Sequence, residues 1–295
     1  MILSLLFFTF SFVFYAITAL LYIGSWVFKK RWLGQAATAM AVIAAFSTGM
    51  ILIFRATEAG HAPFSNLWES MMLFVWAVNV GYLIMEYKHK FRVMGAFVMT
   101  FEVLAMLSAF LLPYKFKSAE PLNPALQNKW HWMTDLLSRW GAQKYAIGWL
   151  DFHVVTTFIG YAGFAISFGI SIMFLLKNRS EEGGRKSALM DAFPEARVLD
   201  ELGYRTIAWG FPFLTTGIIS GAVWANYAWG TYWSWDPKET WSLITWFIYA
   251  AYLHARVTKG WRGRKAAYLS IAGFLAVIFL YWGVSFVLPG LHAYA

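Results

Sequence analysis

A chain of 295 residues that is 60% hydrophobic and only 13% charged would leave an unmanageable apolar surface in a soluble fold, and a mean hydropathy of +0.53 points the same way. The composition therefore predicts an all-α integral membrane protein, a single polytopic domain over residues 1–295. A net charge of +9 implies no nucleic-acid partner, because the lysines and arginines sit in short clusters between apolar runs, where they set topology. The absence of cysteine excludes disulfides, thiolate metal ligands and thiol redox chemistry within the chain.

A spanning helix needs about 20 mostly apolar residues, and eight segments qualify. Span one, Ile2 to Phe28, has no positive n-region and is too long for a signal-peptide core, so it is expected to remain as a membrane anchor. It ends on Lys29, Lys30 and Arg31, which the positive-inside rule places on the cytoplasmic side or its equivalent. Span two, Ala36 to Phe54, leads out to Arg55 and the loop holding His61. Span three begins near Leu67, behind Asn66 as N-cap and Glu69 at N3, and returns to Lys88, His89, Lys90 and Arg92. Span four, Met94 to Leu112, carries Glu102 near its middle; neither it nor Asn79 in span three has an assignable role, and helix–helix hydrogen bonding is the default for both.

The outer loop 113–150 is long, with four tryptophans and an amphipathic piece around Trp132 to Trp140. Span five, Phe152 to Leu176, opens with Asp151 and His153 and descends to Lys177, Arg179, Arg185 and Lys186. Span six, Ile207 to Val223, has a candidate break at Gly210 and Pro212. Span seven, Lys238 to Val257, descends to Lys259, Arg262, Arg264 and Lys265, and span eight, Ala266 to Leu288, rises again. Every inner loop carries at least three basic residues, so both termini are predicted to be extracytoplasmic.

Between spans six and seven lies the stretch 224–241, WANYAWGTYWSWDPKETW. Five of the chain's 17 tryptophans fall in it, Trp224, Trp229, Trp233, Trp235 and Trp241, with Tyr227 and Tyr232. Aromatic residues gather at membrane interfaces whatever the function. A belt, however, places one or two rings at a helix end, whereas these follow one another through a connecting segment and read as a surface for something flat and greasy. Asp236-Pro237-Lys238-Glu239 also matches an N-cap, proline at N1 and glutamate at N3, a role for Asp236 that competes with ligand contact.

Of six histidines, the topology puts His61, His131, His153 and His292 outside, His89 in an inner loop and His254 within span seven. A single interfacial histidine ordinarily caps a helix or bonds headgroups. The grouping of His153 and His292 at the depth of the tryptophan stretch favours axial ligation of a planar iron macrocycle instead. His61 stays open between the two, and His131 reads as structural. His254 falls roughly 22 Å below the outer surface of a core about 30 Å thick, at about 1.5 Å per residue from Glu239. Snorkelling beside Arg256 competes with axial ligation there, and as a ligand it would need a partner from another subunit, since His89 is poorly placed.

WGTYWSWDPKETW resembles the tryptophan-rich WWD signature of haem-handling proteins. EAGHAPFSNLWES, LDFHVVTTFIGYA, YLHARV and LHAYA resemble further blocks of the CcsA (ResC) branch of cytochrome c biogenesis proteins, together covering about Glu58 to Ala295. The resemblance implies a System II protein of the bacterial cytoplasmic or thylakoid membrane, working at the extracytoplasmic face as part of a haem lyase complex that presents haem b to apocytochrome c. It implies outer axial ligands His153 and His292, with Trp224, Trp229, Trp233, Trp235 and Asp236 about the haem, and His254 at a second site completed by a separate CcsB (ResB) subunit. Because the chain lacks cysteine, a thioredoxin-like reductant is implied as a further partner, with the lipid as surroundings. Arg55 and Lys238 are candidate propionate contacts. Two other readings stay open: a secondary transporter of an amphipathic solute gated by the tryptophans, and a respiratory haem protein.

Overall fold

The computed structural model describes residues 2–113, 117, 148–184, 187–288 and 290. His131, His292 and nearly all of the 113–150 loop, including the expected amphipathic piece, lie outside them. Eight long helices form: α1 (Ile2–Phe28), α2 (Arg31–Ala59), α3 (Leu67–His89), α4 (Met94–Leu111), α5 (Trp149–Glu182), α6 (Ala196–Trp229), α7 (Pro237–Thr258) and α8 (Arg264–Val287). Seven are long and apolar enough to cross a membrane. The one below that hydropathy is α7, expected as span seven: its tryptophans and tyrosines (Trp241, Trp246, Tyr249, Tyr252) and its charged ends dilute the aliphatic signal. At 22 residues it is nonetheless about 33 Å long.

Hydropathy locates the apolar middle of a helix and misses its ends. α6 begins at Ala196, well before the expected Ile207, because its first turns are amphipathic: Ala196, Leu199 and Leu202 are buried while Glu201 pairs with Arg205 at 2.8 Å on the outside. The candidate break is absent, and α6 runs continuously through Gly210 and Pro212.

α1–α4 pack as one group and α5–α8 as another, joined where α3 and α4 meet α5. One end of the bundle gathers the start of α3, the start of α5, the close of α6 and the close of α8, and is called here the tryptophan end. At the opposite, basic end, Arg256 of α7 is buried in ion pairs with Asp200 (2.6 Å) and Glu201 (3.3 Å) of α6, and Asp200 also accepts from the Gly263 N–H at 2.8 Å. Arg256 is therefore tied to protein and does not reach toward headgroups.

The most extensive contact is between α5 and α6, and small residues produce it. His153, Gly160 and Ser167 follow at seven-residue spacing on α5, and Gly203, Gly210 and Gly217 do so on α6. The rows meet antiparallel. Ser167 Oγ donates to Gly203 O at 3.2 Å, a Cβ on Gly160 would lie 2.9 Å from Leu214 N, and one on Gly217 would lie 3.1 Å from Thr157 Cα. In lipid, where burial drives helix pairing weakly, backbones brought this close by small residues supply the packing. Gly160→Val is expected to lower stability by roughly 1–3 kcal/mol through overpacking. Gly24→Ala, whose methyl would meet Leu33 at an ordinary 3.6 Å, should not. Thermal unfolding of the detergent-purified variants, followed by tryptophan fluorescence, checks the contrast.

Candidate functional site

The upper end of the α5–α6 row places His153. Its Nδ1 lies 2.6 Å from Gly217 O, and since a carbonyl only accepts, Nδ1 carries the proton and Nε2 the lone pair. That is the tautomer of a metal-ligating imidazole oriented by its other nitrogen. A Cβ on Gly221 would lie 2.6 Å from the same Nδ1, so the ring lies against the α6 backbone. The sequence pattern that makes this possible, Gly217-Ile-Ile-Ser-Gly221, is a small-xxx-small motif and was the legible signal for a site wall that histidine counting overlooked.

His153 borders a cavity of about 910 Å³, counting the part open to its surroundings. Its walls include Thr157, Phe158 and Tyr161 of α5, Gly221, Ala222 and Ala225 of α6, Tyr232 and Trp233 of the linker, Lys238, Glu239 and Ser242 of α7, and Tyr281 of α8. Tyr281 enters from a π-helical turn, Phe279–Gly283, a feature that breaks helical register and recurs at functional sites. Its hydroxyl donates to Leu67 O at 2.8 Å and sits 2.7 Å from Ser70 Oγ, which fixes the α8 wall to α3. Thr157 Oγ1 and Glu239 Oε1, on two of these wall residues, are buried with no hydrogen-bond partner among the described residues.

The linker is held by one carboxylate. α6 closes on Gly230 in the left-handed region, at φ 80°, where glycine carries no Cβ penalty. Asp236 caps α7 in a full capping box. Glu239 Oε2 accepts from Ser234 N (2.7 Å), Ser234 Oγ (3.2 Å) and Asp236 N (3.2 Å). Between them Trp235 takes φ 60°, a conformation that costs a bulky residue of order 1–3 kcal/mol and persists only where its surroundings impose it.

A model of the family described as "Cytochrome C assembly protein" matches residues 144–292. The chain is 39% identical to "Cytochrome c biogenesis protein CcsA" of Guillardia theta over 290 residues, covering 91% of this chain and 88% of that one. It is 35% identical to the protein of that name from Cyanophora paradoxa, covering 97% and 95%. This chain belongs to the CcsA family. Among solved structures, "Cytochrome c Heme Lyase CcmF" aligns with a TM-score of 0.61 at 18% identity, over 95% of this chain and 46% of that one. At that identity the likeness is of fold, and the CcsA-type chain spans under half the length of that lyase.

The expected site residues of this CcsA-family chain divide in space. His153 and Trp233 border the cavity. Trp224 and Trp229 pack edge to face behind it, centroids 4.9 Å apart, and Trp235 stands 67% exposed, edge-on to Trp233 at 5.8 Å. None of Trp224, Trp229 and Trp235 borders the cavity, so the bed of indoles expected from the sequence is one indole, Trp233, flanked by Phe158, Tyr232 and Tyr281. Asp236 is buried as the α7 cap. His292 lies outside the described residues, but Gly290 comes so close to Asp236 that an added Cβ would strike Asp236 Oδ1. His254 is exposed near the basic end of α7.

Arg55 is not available as a propionate contact. It is 1% exposed, paired with Glu69 at 2.7 Å and donating to Lys117 O at 2.5 Å. Lys238 does border the cavity. His61 is buried with Nδ1 2.7 Å from Ala62 O, and His89 stacks on Phe91.

Glu239→Ala removes the acceptor for three donors and is expected to cost roughly 1–3 kcal/mol. Asp236→Ala, which removes a cap, should cost about 1 kcal/mol. The larger effect should also appear as faster proteolytic cleavage between 229 and 237 in Glu239→Ala.

Proposed function

We propose that this chain holds haem b at the tryptophan end and presents it for covalent attachment to apocytochrome c, as the membrane subunit of a cytochrome c synthase. The observation that carries this reading is His153: an imidazole with Nδ1 committed to Gly217 O, bordering an aromatic cavity of about 910 Å³. The residues fit the group. Small side chains on α6 leave a wall free of bulk, Phe158, Trp233 and Tyr281 offer ring surfaces, and Lys238, whose amine burial pushes down to about 7, offers a donor toward carboxylates.

Bound there, the porphyrin supplies the iron and the vinyl groups to which cysteine thiols add. His153 Nε2 would hold the iron, and His292 is proposed as a further ligand, since Gly290 already stands against the cap of α7. Glu239 and the strained Trp235 backbone keep Trp233 where it closes the wall. The chain supplies position and exclusion of competing ligands while the acceptor supplies the thiols, and a thioredoxin-like partner keeps those thiols reduced, because this chain has no cysteine.

His254 belongs to a second site in this reading. It is exposed on the same side of α7 as Ile244 and Phe247, a strip that a CcsB-type subunit would cover while contributing the opposing ligand. Both termini are then extracytoplasmic, α7 is a crossing like its neighbours, and the membrane is the bacterial cytoplasmic or the thylakoid one.

His153→Ala should lower haem content of the purified complex ~10-fold or more and abolish cytochrome c maturation. Trp233→Ala should act more mildly, weakening haem retention by the ~1–3 kcal/mol that a single stacked ring supplies. His254→Ala should lower haem content only when the partner subunit is present. Pyridine haemochrome assay with and without the partner reads all three, and full haem and normal maturation in His153→Ala would overturn the outer site.

A further inference from the structure

The α1–α4 group takes no part in the cavity beyond Phe64 and Ser70 about the head of α3, yet a row of buried polar groups runs down its interior. On α1 these recur at seven-residue spacing, Ser4, Ser11 and Thr18, each fully buried, with Tyr15 and Tyr22 four residues after the latter two. We propose that this row conducts protons between the tryptophan end and the basic end, with Glu102 of α4 as the proton carrier at its middle.

Glu102 is fully buried, and neither carboxyl oxygen has a hydrogen-bond partner among the described residues. Beside it, Tyr15 of α1 is near enough for the two to interact electrostatically. Tyr15 hydroxyl accepts from Asn79 Nδ2 at 2.9 Å and from Thr48 Oγ1 at 3.5 Å. Thr48 Oγ1 also approaches Ser11 Oγ at 3.4 Å, and Ser11 donates to Ser47 Oγ at 2.8 Å. Asn79 Nδ2 donates as well to Ala41 O at 3.0 Å, which fixes the amide orientation and leaves Asn79 Oδ1 as another buried acceptor with no donor among the described residues.

Acceptors without donors define what the site lacks. An ionised carboxylate at this depth with no cation or donor is costly, whereas a proton on Glu102 supplies the missing donor and removes the charge. Among the described residues, no other charged group faces it from the elements packed on α4. α1 brings Tyr15 near it, and α5 has no titratable side chain between Tyr161 and Lys177.

Glu86, seven residues beyond Asn79 on α3, is surrounded by donors instead. It accepts from Tyr22 (2.6 Å), Tyr82 (2.5 Å), Thr38 (2.5 Å) and Arg92 (3.2 Å), the environment of a carboxylate. Arg92 is 37% exposed, so this cluster opens to the basic end. At the other end Ser4 Oγ donates to Glu58 Oε2 at 2.7 Å. Seven helical residues separate successive clusters, about 10 Å, with Thr18 lying in the gap on the basic side. Glu102 gives its proton up toward water at one end and is reprotonated, by way of Glu86 or Glu58, from water at the opposite end, so one positive charge crosses and no co-reactant is consumed. None of the haem residues enters this inference, and failure of either reading leaves the other standing.

The test uses the full chain in liposomes containing an entrapped pH dye, with a potassium diffusion potential set by valinomycin. Proton flux above that of protein-free vesicles is expected, reduced ~10-fold or more by Glu102→Gln, as for removal of a proton-transfer group from its path, and partly retained in Glu102→Asp. A hydrophobic carbodiimide, which attacks protonated carboxyls in membranes, should label Glu102 and spare Glu86, as read by peptide mass spectrometry. Flux equal to protein-free vesicles, equal flux in Glu102→Gln and the unaltered chain, or no label on Glu102 would each overturn the proposal. Labelling and flux of the unaltered chain decide it even where the glutamine variant fails to fold.

Discussion

The close approach of α5 and α6 is the constraint on which the cavity depends. Two 34-residue helices touch backbone to backbone along a row of glycines, and that row ends at the tryptophan end in His153 facing Gly217 and Gly221. Any side chain larger than hydrogen at Gly221 would occupy the space of the imidazole. The position, tautomer and aspect of the ring therefore follow from helix packing rather than from a loop, which is how a site is held to the tolerance that ligation requires. α3 and α8 then close the cavity by the Tyr281 hydroxyl, anchored to Leu67 and Ser70.

The linker between α6 and α7 depends on the same economy of means. One glutamate satisfies the backbone of Ser234 and Asp236 at once, and the capping box fixes where α7 starts. The fold resemblance to a haem lyase at 18% identity is understandable on these terms, since helix lengths, small-residue contacts and caps can persist while most side chains change.

Much of this was legible in the sequence, for reasons that differ by residue. Apolar run length gave the helices, and the N-cap patterns at Asn66 and Asp236 gave two helix starts that the hydrogen bonds bear out. The tryptophan stretch was visible as composition, but composition cannot say which ring faces inward: of its five indoles Trp233 alone borders the cavity, and Trp235 beside it, at positive φ, stands exposed. Arg55 looked like a free cation at a helix end, and its burial against Glu69 depends on α2 meeting α3, a tertiary fact. The cavity contribution of Tyr281 rests on a π-helical turn, which leaves no mark on a hydropathy profile. α7 falls below the hydropathy criterion for the converse reason, since a helix rich in tryptophan and tyrosine scores as though it were half polar.

The burial of Arg256 has a mechanical meaning. Two residues apart on a helix, His254 and Arg256 point in nearly opposite directions, and the guanidinium is fastened to Asp200 and Glu201 on the neighbouring helix. α7 is thereby keyed against rolling about its long axis. The imidazole two positions earlier is presented outward on a fixed bearing, so a molecule that engages it has to align itself to this helix.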